Sequence, residues 1–228
     1  MRVKTEPPTQ IPPDLIRTIE EVCKEMGIEE VTVSTFLADD IPGMNETYDF
    51  MGPVVIVNPK ESKVRFEESL FSRDELYKRG KIAKFMAILA QRKLGYESII
   101  KDAEKWSHEL TTDQNNLFMF NEFLYTVKGY SADQIVIDHG YVKELYHMRQ
   151  ELLKRRESLL FPSKKLEPYS TVEEYLATLI KYYFWVPFSL CSRTEEANEL
   201  NESARSQVNE RIPRISNVYD TVGNIFLN

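Results

Sequence analysis

Glu144 and His147, in the stretch Glu144-Leu-Tyr-His147, place a carboxylate and an imidazole three positions apart in a segment with helical spacing. On a helix this spacing puts both side chains on one face, as in one half of a carboxylate-bridged di-iron site. A full site needs a second such pair and two more glutamates. The nearest counterpart, Glu104 and His108, is spaced four apart, so surface or partly buried histidines remain the simpler interpretation.

A second stretch, "RGKIAKFMAILAQRKLGY" at 79–96, has the pattern of a long helix. Small residues follow one stripe of this helix and bulky apolar residues follow another. Small residues let a second backbone approach closely, and bulky ones fill a core. The sequence therefore predicts a helix that is buried on most sides. The small stripe consists of Gly80, Ala83, Ala87 and Ala90, and the bulky stripe of Ile82, Phe85, Met86 and Leu89.

Residues 12–130 resemble the compact zincin scaffold of gluzincin-type metallopeptidases. The resemblance rests on an N-terminal helix, strands ending in "VVIVNP", a helix with "RGxxAxxxA" and a following segment "NEFLYTVKGY". In that family the first of the two later helices carries H-E-x-x-H, and the next supplies a glutamate as the third zinc ligand. The resemblance therefore implies a helix, a small sheet and two site helices, in that order.

Carried onto this chain, the two histidine ligands fall on Lys84 and Ile88, and the general base falls on Phe85. Only Glu122 matches a ligand position. Zinc needs imidazole, thiolate or carboxylate donors, and the base must act on a metal-bound water. The resemblance thus implies a scaffold without zinc, without another cofactor and without peptidase activity.

Two interpretations of Lys84 stay open. In one, it extends along an amphipathic helix to reach solvent, Phe85 and Ile88 are core residues, and Glu122 is a surface acid. In the other, its ammonium group takes the place of the metal cation and pairs with Glu122.

Composition excludes several other classes of function. The formal net charge of -7 disfavours a nucleic-acid partner, because both short basic runs, 153–157 and 163–167, are flanked by acidic residues. The sequence contains no G-x-S-x-G, P-loop or G-x-G-x-x-G motif. Neither a phosphate-binding loop nor a serine nucleophile is therefore indicated.

Cys23 and Cys191 are the two cysteines, and their spacing matches neither a disulfide framework nor a structural zinc site. No apolar run reaches the roughly 18 residues that a membrane span needs, and residues 1–13 lack a signal segment. We therefore expect a cytoplasmic protein without a membrane partner.

The most apolar stretch of the chain is 175–188. Successive aromatic side chains point in all directions from a helix, so some pack in the core or form a contact with a protein partner or a second copy. These candidate interface residues are Tyr182, Tyr183, Phe184, Trp185 and Phe188.

The elements that position these residues give an α+β fold, an N-terminal helix and small β-sheet packed on a mainly helical bundle, with a zincin-like order. Capping boxes open four helices at Ser72, Thr111, Ser131 and Thr171. The predicted helices are 12–27, 73–94, 112–128, 132–159, 171–183 and 195–209, and the predicted strands are 30–38, 52–59 and 63–68. We expect a core at 12–130 and a helical extension at 131–228.

Three functions are consistent with these observations. The leading one is a non-catalytic binding or interaction protein on a degenerate metallopeptidase-like scaffold. A second is a metal-dependent hydrolase with a non-standard site. The third is a structural homodimer subunit that uses the aromatic segment. The non-standard site would draw on Glu122, His108, His139 and His147.

Overall fold

The structure is a computed structural model, and it describes residues 1–6, 11–40, 53–93, 105, 129, 131–160 and 195–211. Contacts divide the chain into two compact units. The first comprises Met1–Glu97 with Ile135–Met148, and the second comprises Ser98–Gln134 with Arg149–Asn228. The predicted division at residue 130 stays a prediction.

A four-stranded sheet with the strand order β1-β2-β4-β3 lies in the first unit. β1 is parallel to β2 and β2 is parallel to β4, whereas β3 is antiparallel to β4. Together with the helices this confirms the α+β class. The strands are β1 (Arg2–Thr5), β2 (Glu30–Phe36), β3 (Val55–Asn58) and β4 (Lys63–Glu67).

Strand β1 was not predicted, because Arg-Val-Lys-Thr contains a single apolar residue and gives no alternating signal. The three other strands lie within their predicted ranges. Asn58 explains why β3 turns back into β4: its side-chain oxygen accepts the backbone N–H groups of Lys60 and Glu61 at 3.2 and 3.4 Å. This local turn is typical of asparagine before proline.

Helix α1 spans Pro13–Glu25 and begins and ends as its sequence predicts. Pro13 occupies the first turn, where its missing N–H has no intrahelical partner to lose. Beyond the helix end, Gly27 takes a φ of 66°, the left-handed conformation that favours glycine. The buried face of α1 carries Leu15, Thr18, Ile19, Val22 and Cys23.

Helix α2 spans Glu75–Lys93 and contacts both α1 and β3. The capping box predicted at Ser72 is wrong. Ser72 ends a short 3₁₀ helix and donates its hydroxyl to the carbonyl of Ser69 at 2.8 Å. Asp74 caps α2 instead, because its Oδ1 accepts the backbone N–H of Tyr77 at 2.9 Å.

Gly80, the first residue of the small stripe of α2, lies against helix α3, which spans Val142–Leu160. A Cβ atom at Gly80 would lie 2.9 Å from the carbonyl carbon of Glu144 and 3.2 Å from the Cβ of Met148. No real side chain tolerates this approach without a shift. The prediction that a second backbone approaches this stripe closely is therefore confirmed at Gly80.

The single helix predicted over 132–159 is wrong, because the chain turns at Gly140. Helical residues 131–138 are followed by a turn, and α3 starts at Val142. Gly140 has a φ of 85°, and the N–H of Tyr141 donates back to the carbonyl of Val136 at 3.1 Å. This hydrogen bond and the left-handed glycine form a Schellman motif, which ends the helix.

Helix α4, Glu195–Arg211, confirms the helix predicted over 195–209. The predicted helices at 112–128 and 171–183 lie outside the described residues. Among the described helices, none combines the length and apolar character that a bilayer crossing demands.

The second unit contains a buried ion pair between Arg149 Nη2 and Asp133 Oδ2. Their side chains are 3% and 1% exposed. This pair joins the helical residues 131–134 to the part of α3 that belongs to the same unit, from Arg149 onward.

Candidate functional site

Helix α2 carries the three positions on which the metallopeptidase motif would fall. Lys84 is 8% exposed, whereas Phe85 and Ile88 are half-buried. The burial of Lys84 disfavours the interpretation in which its ammonium group extends into solvent. As predicted, most of the helix is buried, including Ile82, Ala83, Met86, Ala87, Leu89 and Ala90.

Lys81 lies one turn before Lys84 and was not singled out from the sequence. It is 4% exposed, and its Nζ lies 5.4 Å from the centre of the Phe85 ring. A cation over an aromatic face is stabilised by the negative charge on that face. The sequence shows that Lys81 and Lys84 are three residues apart in an apolar helix, but this spacing does not show that either lysine is buried.

The donor set on α2 does not fit zinc. Lysine at position 84 offers a protonated ammonium group, and phenylalanine and isoleucine at 85 and 88 offer no lone pair. In the described part of the chain, no group of three His, Cys, Asp or Glu side chains is arranged to hold a metal ion. The described residues therefore supply neither ligands nor a general base here.

Glu144 and His147 do share one face of α3, as their spacing predicts, and that face meets α2. Glu144 Oε1 lies 3.8 Å from Arg79 Nε, and His147 Nε2 lies 3.1 Å from Asp74 Oδ2. Glu144 thus has an ion-pairing partner on α2, and His147 has a hydrogen-bonding partner in the residue that caps α2. Glu144 and His147 therefore serve to join α3 to α2 and its cap.

Arg79 is the centre of this polar contact. Its guanidinium lies 3.1 Å from Glu21 Oε2 and 5.7 Å above the ring of Tyr141. Burial opposes the charge on Arg79, but the neighbouring Glu21 and Glu144 carboxylates outweigh it and raise its pKa. Arg79 therefore holds α1, α2 and α3 together as a permanent cation.

Tyr141 adds a further link to α1, because its hydroxyl donates to Glu25 Oε2. Burial and this hydrogen bond both raise the pKa of Tyr141 above its usual value. The phenol is thus a poor general base at neutral pH. Its role in the described structure is to donate a hydrogen bond.

The remaining candidate residues lie either at the protein surface or outside the described residues. His139 is exposed, and its Nδ1 lies 2.7 Å from the carbonyl of Ile135, one turn earlier. Several predicted site or interface residues lie outside the described residues, so the predicted pairing of Lys84 with Glu122 stays a prediction. These residues are Glu104, His108, Glu122, Tyr182, Tyr183, Phe184, Trp185, Phe188 and Cys191.

Cys23 is a free, fully buried thiol on α1. Burial, reinforced by the negative charge of Glu20, raises the pKa of Cys23 to about 12. Its sulfur lies 3.5 Å from the sulfur of Met86. The thiolate needed for nucleophilic attack is therefore strongly disfavoured, and Cys23 acts as a core residue.

No protein-family model, curated protein or solved structure matched this chain. Function is therefore inferred from the described residues themselves, with the zincin resemblance as a hypothesis.

Proposed function

We propose that this chain is a non-catalytic binding protein on a metallopeptidase-like scaffold that lacks the zinc ligands. The order of elements from residue 12 onward supports this proposal: helix α1 precedes β2, β3 and β4, β3 is an antiparallel edge strand, and α2 follows and contacts β3, whereas β1 precedes α1 and is not part of the resemblance. This is the order that the resemblance requires over the described part of 12–130.

The observation that carries the proposal is the chemistry at positions 84, 85 and 88. Hydrolysis by a zincin needs a metal-bound water and a carboxylate that removes its proton. Lys84, Phe85 and Ile88 provide neither. A scaffold with this substitution can hold a polypeptide but has no means on α2 to cleave it.

The edge of the sheet suggests how a polypeptide would be held. In the described part of the chain, no strand pairs with the outer edge of β3. The N–H of Glu67 donates to the carbonyl of Val54 at 3.0 Å. In an antiparallel pair, every second residue exchanges such hydrogen bonds with the neighbouring strand. The backbone N–H and C=O groups of Val57 therefore point away from β4. An extended protein segment would pair with this edge by strand addition.

We also propose a reducing, cytoplasmic location, because Cys23 is a free thiol. A protein partner is proposed, and no nucleic-acid partner, since the net charge of -7 opposes phosphate binding. The aromatic segment that includes Trp185 and Phe188 remains a predicted contact with that partner or with a second copy.

The absence of a metal site is tested by titrating the metal-free protein with zinc against a chromophoric chelator. The expected result is no stoichiometric binding and no cleavage of an unstructured protein substrate. Stoichiometric zinc that is lost in Glu122→Ala or His147→Ala would overturn the proposal and indicate the metal-dependent hydrolase instead.

Binding at the edge of β3 is tested with peptides selected from an unbiased displayed library on the immobilised protein. Val57→Pro removes an outward N–H without removing a hydrogen bond to β4, so it should weaken the selected peptides at least roughly tenfold. Val3→Pro, at a position of β1 whose N–H points away from β2 on the opposite edge of the sheet, is the matched comparison for a general loss of sheet structure. Peptides that bind Val57→Pro and the unmodified protein equally would contradict binding at β3.

A further inference from the structure

The outer edge of β3 carries backbone donors at two positions only. Ile56 exchanges hydrogen bonds with β4, so the N–H groups of its neighbours Val55 and Val57 point away from β4. Pro53 lies two residues before Val55 and Pro59 lies two residues after Val57. Because proline has no N–H, the outward donors of 53–59 are confined to Val55 and Val57.

The pattern of donors on this edge is symmetric about Ile56. In an antiparallel pair of two copies of β3 centred on Ile56, Val55 of each copy lies opposite Val57 of the second copy. Residues placed in this way exchange both of their N–H···O bonds, so every outward donor of the two strands finds an acceptor. Pro53 then lies opposite Pro59 of the second copy, and a position without a donor meets another position without a donor.

The side chains of the same stretch suit self-pairing. Residues 54–58 include no charged side chain, so no like charges would lie opposite each other. Ile56 and Val57 are half-buried, and each still exposes part of an apolar side chain. Pairing of two copies would remove this apolar surface from water.

The other edge of the described sheet is less suited to self-pairing. The N–H groups of Arg2 and Glu6 donate to β2 at 2.8 and 3.1 Å, so Val3 and Thr5 point outward from β1. Two copies of β1 paired through these residues would place Lys4 opposite Lys4. Like charges directly opposite each other are destabilising.

We propose that the partner of the β3 edge is β3 of a second copy of this chain, in an antiparallel pair centred on Ile56. Each copy contributes a four-stranded sheet, and the pair joins the two sheets into one. Self-pairing rests on the open β3 edge of the proposed function and not on the metallopeptidase resemblance.

The register is tested with a cysteine at position 56. In the proposed pair this position lies opposite itself without hydrogen bonds, and the two Cα atoms are about 4.5 Å apart, within the range that a disulfide spans. The full chain with Ile56→Cys and Cys191→Ser should therefore form a disulfide-linked dimer on mild oxidation with oxidised glutathione. The remaining native cysteine, Cys23, is buried.

Asn58→Cys in the same Cys191→Ser background is the matched control. Position 58 is more exposed than position 56. It would lie opposite residue 54 of the second copy, so the two cysteines would be about 13 Å apart, too far for a disulfide. Equal cross-linking at both positions, or none at position 56, would overturn the proposal.

Association without a cross-link is measured by sedimentation velocity of the unmodified protein over a range of concentrations. The expected result is a reversible equilibrium between monomer and dimer. Val57→Pro removes one outward donor from each strand and should weaken the dimer at least roughly tenfold, whereas Val3→Pro should leave it unchanged. A protein that stays monomeric up to about 1 mM, or a dimer that Val57→Pro leaves equally strong, would overturn the proposal.

These results separate self-pairing from the proposed function. A monomeric protein whose selected peptides bind Val57→Pro more weakly would refute self-pairing and leave strand addition by another protein standing. A dimer that cross-links at position 56, in a protein that also binds stoichiometric zinc, would refute the non-catalytic function and leave self-pairing standing.

Discussion

At the scale of single residues, Asp74 has two roles at the start of α2. One oxygen caps the helix at the N–H of Tyr77, and the other lies 3.1 Å from His147 on α3. Partial burial opposes ionisation of Asp74, but these two contacts outweigh it and lower its pKa. A carboxyl group with a lowered folded-state pKa stabilises the fold above its unfolded pKa, and this contribution is lost as the pH falls through the folded value.

Asp74→Ala should lower the free energy of unfolding by about 1 kcal/mol at neutral pH, because the helix loses its cap. Denaturant unfolding followed by circular dichroism measures the change. Asp74→Asn is the matched control, since asparagine caps equally well but carries no charge. Asp74→Asn should therefore lose less stability than Asp74→Ala at neutral pH, because it loses only the contribution of the charge. Its difference from the unmodified protein should shrink below about pH 4, where Asp74 itself takes up a proton. Equal loss in both variants at neutral pH would contradict the cap.

The residue types at 84, 85 and 88 could be taken from the sequence, but their burial could not. A lysine in an amphipathic helix usually reaches solvent through its long stem, and the sequence offers no local sign that Lys84 does otherwise. Lys81 was missed for the same reason. Only the packing around α2 distinguishes a buried ammonium group from an exposed one.

At the scale of elements, the contact between α2 and α3 depends on Gly80. Two helices pack this closely only where one of them lacks a side chain, and here the backbone of Glu144 occupies the space a Cβ would take. The polar contacts of Arg79 and Asp74 with α3 both involve residues that precede Gly80 in the chain, and Arg79 is its immediate neighbour. Gly80 therefore sets the distance at which those ion pairs form.

Gly80→Ala should destabilise the protein by about 1–3 kcal/mol, because the added methyl group forces α2 and α3 apart. The sign of this stability change is informative, since a glycine-to-alanine substitution at an exposed helical site stabilises a protein by roughly 0.5–1 kcal/mol. Thermal and denaturant unfolding measure the effect. Leu76→Ala, at an exposed position of the same helix, should change stability by less than about 0.5 kcal/mol. A Gly80→Ala protein more stable than the unmodified one would refute the close contact.

Elements with strong local sequence signals could be predicted, whereas elements that depend on tertiary contacts or on an ambiguous glycine could not. Helix α1 begins at Pro13 and ends before Gly27 as expected, because proline and glycine each fix a helix end through their own backbone conformation. Position 140 holds a glycine inside an otherwise helical pattern, and sequence alone does not say whether such a glycine is tolerated or ends the helix. Strand β1 gave no alternating pattern, since its pairing with β2 comes from tertiary structure.

At the scale of the whole molecule, stability in the second unit depends on charges that are well inside the protein. Arg149→Met should cost about 3–5 kcal/mol, because the buried carboxylate of Asp133 loses the guanidinium that lies against it. The double variant Arg149→Met with Asp133→Leu should recover most of that loss, since it removes both charges. Chemical denaturation of the three proteins gives the coupling energy. Additive losses in the double variant would contradict a direct pair.

The fold class could be predicted for the molecule as a whole because helix and strand patterns separate clearly along the chain. The function of α2 could not be predicted from the sequence, because it depends on which groups surround Lys84 in the folded protein. The zincin resemblance offers one explanation for the element order and for a cation at that position. Its central claim is that α2 lies where a zinc helix would lie.

The most direct test restores the zinc motif on α2 with Lys84→His, Phe85→Glu and Ile88→His together. If the scaffold is zincin-like, this folded triple variant should bind one zinc ion, and adding Glu122→Ala should weaken binding at least roughly tenfold. Zinc titration with circular dichroism as a control for folding gives the answer. A folded triple variant that binds no zinc, or whose zinc binding does not depend on Glu122, would contradict the scaffold.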